Sequence, residues 1–400
     1  MKMATFILII IYVSFICLGL PDSLLGVSWP IIRTEFDVSL SAVGPIYMMI
    51  AGGTIISSFY SGKVLKRFGT AKVTAVSTAM TAIGILGFYF APSVHWFYLF
   101  TIPLGLGAGS VDAGLNSYVA DHYKSHHMSW LHCFWGVGAT VGPMIMSGFI
   151  KDSSWRRGYL TVSLIQAVLA IFLFVTLPIW KKADVARANA VANSDGLTND
   201  DENVHGKEAN LLKVKGVKPV LITFLFYCAA EGTLGLWGSS YLTQIKGLTI
   251  SVAATWVAMY YGGITVGRFL NGFLTLKLSN KQLVRLGLFV ILIGVLLLLL
   301  PLPIAFTMIG MMCIGLGCAP IYPCMLHETP VRFGTERSKS LMGIQMAVAY
   351  TGATFLPPIF GYIAGLTTIA LYPLAILIYA LIMIACSEKA NRIFEGKKVK

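Results

Sequence analysis

Three acidic side chains stand where water is scarce. Asp22, Asp112 and Glu231 each lie well inside a long apolar stretch, while the other acids of the chain fall in or beside polar connections. A charged carboxylate near the middle of a bilayer costs roughly 2.5 kcal/mol or more, so such a residue is rarely accidental. Gly105, Gly109, Asp112 and Asn116 are spaced by four, three and four residues, which puts them on one face of an α-helix. Asp22 shares its face with Gly19, Gly26 and Trp29, and Glu231 shares its face with Cys228, Gly235 and Gly238. Small residues let a second helix come close, so each acid points at a neighbouring helix rather than at acyl chains. The chemistry open to such a group is uptake of a proton or Na⁺, or acceptance of hydrogen bonds from a polar molecule. The plainer alternative is an interhelical hydrogen bond or a buried ion pair.

Other side chains are candidates for the same chemistry. His132 sits a turn into its apolar stretch and is a candidate proton-relay partner for Asp112. Asn116 and Gln345 are amides inside apolar segments and suit hydroxyl groups. Trp135, Trp237, Tyr260 and Tyr322, with Trp29 and Tyr261, offer ring faces on which an apolar C–H surface can stack, although packing is the commoner use of such residues. Trp237 lies six residues from Glu231, off its face. Lys66 and Arg67 belong to the basic run Gly62–Lys72, and Arg268 follows the pair Gly263 and Gly267. All three cations are candidates for gating. No run of the form GxxxxGK[ST] occurs, and no His and Cys spacing suits a metal. No cofactor is expected beyond a coupling H⁺, with Na⁺ as the alternative.

The elements that must hold these residues are apolar helices. The chain has 400 residues, 56% hydrophobic and 12% charged, with a mean hydropathy of +0.76; soluble proteins carry about 25% charged residues. Twelve apolar stretches are long enough to cross a bilayer, at roughly 4–32, 41–61, 72–91, 95–120, 128–150, 158–180, 217–244, 251–275, 284–300, 303–328, 339–362 and 368–387. The chain is therefore all-α and polytopic, and a soluble enzyme is excluded. The net charge of +13 is not a nucleic-acid footprint, because its placement is one-sided. Of 30 Lys and Arg, 24 fall in connections on one side, five on the other, and Arg268 lies within a segment. That asymmetry predicts both termini in the cytoplasm. Seven cysteines are scattered singly and suggest neither a disulfide framework nor a metal site.

The stretch 181–216 is polar and reads as a linker. It separates a bundle at 1–180 from a second at 217–387, with a tail at 388–400. The two halves repeat one another. Gly105-Leu106-Gly107 returns as Gly315-Leu316-Gly317, Gly62 as Gly272, Gly138-Ala139-Thr140 as Gly352-Ala353-Thr354, and Asp22 as Glu231, at offsets between 209 and 214. Two parallel six-helix bundles related by an axis along the membrane normal are expected.

With these features the chain resembles the major facilitator superfamily over its whole length. Asp22, Asp112-x-x-x-Asn116, Gly267-Arg268-Phe269 and Ala319-Pro320-Ile321-Tyr322-Pro323 resemble the fucose–proton symporter branch of its sugar carriers. The basic run Gly62–Lys72 is similar to the superfamily's loop motif, except that Lys66 stands where an acid is usual. The fucose carrier has Glu at the position of Asp112. The resemblance implies a secondary transporter in the plasma membrane, the inner membrane of a bacterium. It implies coupling through Asp22 and Asp112 and a sugar or related polyol as solute. The expected partners are that small solute and the lipid bilayer, with no nucleic acid, and the chain is read as a monomer. Efflux of an amphipathic compound is the first alternative, and a non-transporting receptor or assembly subunit the second.

Overall fold

The computed structural model describes residues 2–123, 125–151, 154–192 and 211–395. Those residues form helices and turns, with twelve spans: Met3–Glu35, Leu40–Phe68, Thr70–Tyr89, Val94–Val119, Trp130–Ile150, Trp155–Lys182, Val217–Gln244, Ile250–Leu274, Asn280–Leu299, Ile304–His327, Leu341–Leu366 and Ile369–Phe394. They are called spans one to twelve below. Outward stripes are apolar, as on span six, where Leu164, Val168, Ile171 and Val175 are all more than half exposed. A bilayer is the medium that tolerates such a surface.

Several boundaries differ from the sequence reading. The helix of span two runs to Phe68, so most of the basic run is helical and the turn is Gly69 alone. Its φ of 79° is open to glycine at little cost. The helix of span six continues to Ala192, into the stretch read as a linker. The core of that linker, 193–210, and the end of the tail, 396–400, lie outside the described residues.

The repeat seen in the sequence is repeated in the packing. Gly105 of span four lies against the Ile50 carbonyl of span two, and Gly315 of span ten lies against the Tyr260 carbonyl of span eight. Gly138 of span five meets the Ile16 carbonyl of span one, and Gly352 of span eleven meets the Leu225 carbonyl of span seven. In all four places a Cβ would collide with backbone, which is why glycine recurs there.

Span one is not one helix. Its helices are Lys2–Gly19 and Leu24–Glu35. Pro21 has no N–H, so the Cys17 carbonyl loses its helical donor. Gln166 of span six replaces it, donating from Nε2 to that carbonyl at 2.9 Å, while its Oε1 accepts from Thr81 of span three. Gln166 is buried at 2% exposure, so this stitching is shielded from water. Asp22 occupies the break. Span ten is interrupted likewise, between Cys318 and Ile321 at Pro320.

The halves meet on one face and part toward the other. On the face where span one ends, Gly26 abuts Gly235, Gly44 abuts Pro358, and Ser41 lies beside Gly365. The Ser239 hydroxyl donates to the Val27 carbonyl at 3.3 Å, and the Ser147 and Ser251 hydroxyls lie 2.9 Å apart. Ala347 and Thr351 stand on the face of span eleven that carries Pro358, yet both are exposed. Gly52 of span two, two turns beyond Gly44, has open space around it. Spans two and eleven therefore diverge toward the face where the chain begins, which is also the face rich in Lys and Arg.

Candidate functional site

The opening between the halves receives the three acids. Asp22 is exposed although it lies mid-span, because the break in span one turns it into this opening. Its Oδ2 accepts a hydrogen bond from Trp135 Nε1 at 2.6 Å. The Arg268 guanidinium lies over the Trp135 ring, 5.1 Å from the centroid, within range of a cation–π attraction. Arg268 Nη2 lies 3.8 Å from Glu231 Oε1, and Nη1 donates to the His132 carbonyl at 3.4 Å. A polar chain thus runs from Asp22 through Trp135 and Arg268 to Glu231. Spans one and five contribute its first two members, and spans eight and seven its last two, so it crosses between the halves.

Asp112 stands on the wall formed by span four. Asn116 Nδ2 donates to its Oδ1 at 2.9 Å and to its backbone carbonyl at 3.0 Å. The carboxylates of Asp112 and Glu231 are both close enough to act electrostatically on Asp22. Tyr47 of span two lies within reach of Asp22 and Glu231, and Tyr350 of span eleven within reach of Asp112. Neither tyrosine was singled out from the sequence, because a lone aromatic in an apolar helix carries no positional signal. Gln166 was missed although, like Asn116 and Gln345, it is an amide inside an apolar segment. The pairing of Trp135 with Asp22 was not legible either, since it joins residues 113 apart in the chain.

The structure does not bring every candidate to this group. Trp237 is fully buried, donates to the Pro357 carbonyl at 2.8 Å and packs against Gly361, so it fills the junction of spans seven and eleven. Tyr260 is fully buried and meets Tyr261 edge to face. Gln345 is 1% exposed and accepts from the Thr329 hydroxyl at 3.0 Å. Tyr322 is half-buried, stands edge-on to Phe224 and directs its hydroxyl at the Met346 sulfur. The His132 ring packs edge-on against Phe15 at 6.0 Å, and its carbonyl serves Arg268. Lys66 and Arg67 are exposed at the end of span two. Among the described residues no carboxylate pairs with either, whereas Arg285 pairs with Glu388 at 2.5 Å and Arg332 pairs with Glu328 in the second half. Among the described residues no group of three or more His, Cys, Asp and Glu could hold a metal ion.

Two six-span bundles around a shared polar opening define a membrane transporter of small solutes rather than an enzyme. The chain belongs to the Major Facilitator Superfamily, whose family model matches residues 11–357. It is 20% identical to the glucose/mannose transporter GlcP of Bacillus subtilis, over 95% of this chain and 94% of that protein. It is 22% identical to the cis,cis-muconate transport protein of Acinetobacter baylyi, over 64% of this chain and 63% of that one. Among solved structures it is similar to a D-xylose–proton symporter, with a TM-score of 0.73 at 14% identity, covering 97% of each chain.

Proposed function

We propose that this protein moves a small neutral polar solute, a sugar or related polyol, together with H⁺ across the inner membrane of a bacterium. The observation that carries the reading is the convergence of Asp22, Asp112 and Glu231 on one opening. The bound solute would stack its C–H face on Trp135 and give hydroxyls to Asp22, Asp112 and Asn116. A carboxylate held between two bundles can take a proton on one side of the membrane and release it on the other. With one acid neutralised by that proton, the loaded carrier rearranges with less uncompensated charge in the apolar interior. The likeness to a glucose/mannose transporter and to a proton-coupled xylose carrier supports the same solute class and coupling ion.

The packing supports a reading of alternating access. The contacts at Gly26, Gly44 and Ser147 close one face, and the divergence of spans two and eleven opens the basic face. With the basic face in the cytoplasm, as the distribution of Lys and Arg argues, this is the inward-open state. Rocking of one bundle against the other would exchange the open and closed faces around a fixed site. Arg268 would act as a gate residue by linking the bundles at the level of the site. Lys66 and Arg67 would act at the basic face, where helix ends move most.

The test is uptake of radiolabelled glucose into proteoliposomes under an inward H⁺ gradient. Accumulation above the outside concentration, abolished by an uncoupler, is the expected result. If no hexose or polyol accumulates under either an H⁺ or an Na⁺ gradient, the reading fails.

A further inference from the structure

The opening holds three carboxylates and one guanidinium, and that guanidinium is engaged on three sides. Glu231 lies 3.8 Å from it, the His132 carbonyl accepts from it, and the Trp135 ring covers it. Among the described residues the other Lys and Arg lie near span ends or in connections. Once Glu231 is set against Arg268, no cation among the described residues pairs with Asp22 or Asp112, and the groups that face them are neutral: the N–H donors Trp135 and Asn116, with Tyr47 and Tyr350 nearby.

We infer that the site selects its solute by charge: it admits neutral and amine-bearing solutes and rejects carboxylates, with Arg268 serving as the internal counter-ion of Glu231 and not as an anion receptor. This rests on the reading of the opening as a solute site, and it deepens that reading. A carboxylate solute would have to approach two acids of which a single coupling proton neutralises only one, in a partly desolvated cleft where like charges repel strongly. It would also have to displace Glu231 before reaching a guanidinium. An ammonium meets the opposite field, and a neutral polyol can donate hydroxyls to both acids. Selection therefore comes from repulsion as much as from fit. On this inference a dicarboxylate such as the muconate carried by one relative is not a solute of this chain.

Cys228 provides a direct probe that needs no solute. It is half-buried, lies three residues before Glu231, and is within reach of the Glu231 and Arg268 charges. The purified full chain would be treated with two methanethiosulfonates of similar size, one bearing trimethylammonium and one bearing sulfonate. Labelling at Cys228 would be read by peptide mass spectrometry and normalised to the rates with a small free thiol. A field-focusing cleft changes local ion concentration by about tenfold or more, so the cationic reagent should be favoured by at least that factor. Asp112→Asn should shrink the preference. A Met346→Cys variant, whose side chain is exposed in the same opening, gives a second site of measurement. Equal rates, or a faster anionic reagent, at both positions would overturn the inference.

The solute arm uses one ring with three charges. Glucose and glucosamine should compete with labelled glucose in counterflow, and glucuronate at the same concentration should not. Glu231→Gln, which frees Arg268, should let glucuronate begin to compete. Glucuronate competing as well as glucose in the unaltered protein would overturn the inference. If no hexose of any charge competes while Cys228 keeps its cation preference, the sugar reading falls and the charge selection stands.

Discussion

The indole N–H of Trp135 lies 2.6 Å from Asp22 Oδ2, and the same ring carries the Arg268 guanidinium on its face. One aromatic side chain therefore donates to an acid of the first bundle and receives a cation of the second. Neither partner could be replaced without the other feeling it. A change of charge on Asp22 acts on the indole, and through the ring on the ion pair with Glu231. The span-one break aims the acid at this ring, and the Gly19 contact with the Trp135 carbonyl holds the two spans in register.

Trp135→Phe keeps the ring face for Arg268 and removes the donor. A hydrogen bond to a charged group contributes about 1.5 kcal/mol, roughly tenfold in affinity. Solute affinity measured by counterflow should fall by about that factor while the melting temperature changes little. Unchanged affinity would mean that the Trp135–Asp22 bond is incidental to binding.

Arg268→Gln leaves Glu231 mostly buried without its cation. Breaking such a pair from one side costs about 3 kcal/mol, and thermal unfolding in detergent should register it. Adding Glu231→Gln to the same protein should restore much of the lost stability, since residues in contact do not add. If the double variant is less stable than either single one, the two side chains do not act as a pair.

Gln166→Leu removes the donor that replaces the one lost at Pro21. The Cys17 carbonyl and the Thr81 hydroxyl would each lose a buried partner, at a cost of about 2 kcal/mol. The expected outcome is a lower melting temperature together with weakened solute binding, because the break that positions Asp22 loosens. Full stability in this variant would show that the break holds itself.

Ser147→Cys combined with Ser251→Cys places two thiols where two hydroxyls now lie 2.9 Å apart. Oxidation should join spans five and eight on the closed face and stop solute flux, and reduction should restore it. Undiminished flux in the fully crosslinked protein would argue against rocking of the bundles.

Much of this architecture could be read from the sequence, for physical reasons. An apolar run long enough to cross a bilayer has few alternatives to a helix, and the pairs Gly105 with Gly315 and Gly138 with Gly352 recur because close helix approach demands them in both halves, whereas Gly62 and Gly272 have open space around them. Asp22, Asp112, Glu231 and Arg268 stood out because ionisable groups are costly in such runs. The long-range partners did not stand out. Periodicity assigned a face to Asp22 but could not say that Trp135 would meet it, and Trp237 reads like any other aromatic until its indole is found on the Pro357 carbonyl. The helix break at Pro21 was not read either, since the face assigned to Asp22 ran through it, and nothing local pointed to the glutamine on span six that repairs it.

The most direct measurement is the steady-state accumulation ratio of labelled hexose in proteoliposomes under a fixed H⁺ gradient, for the unaltered protein and for Asp112→Asn. The unaltered protein should concentrate the solute. The variant should bring it only to equality across the membrane while exchange continues. Equal accumulation by both would contradict the assignment of this acid to energy coupling.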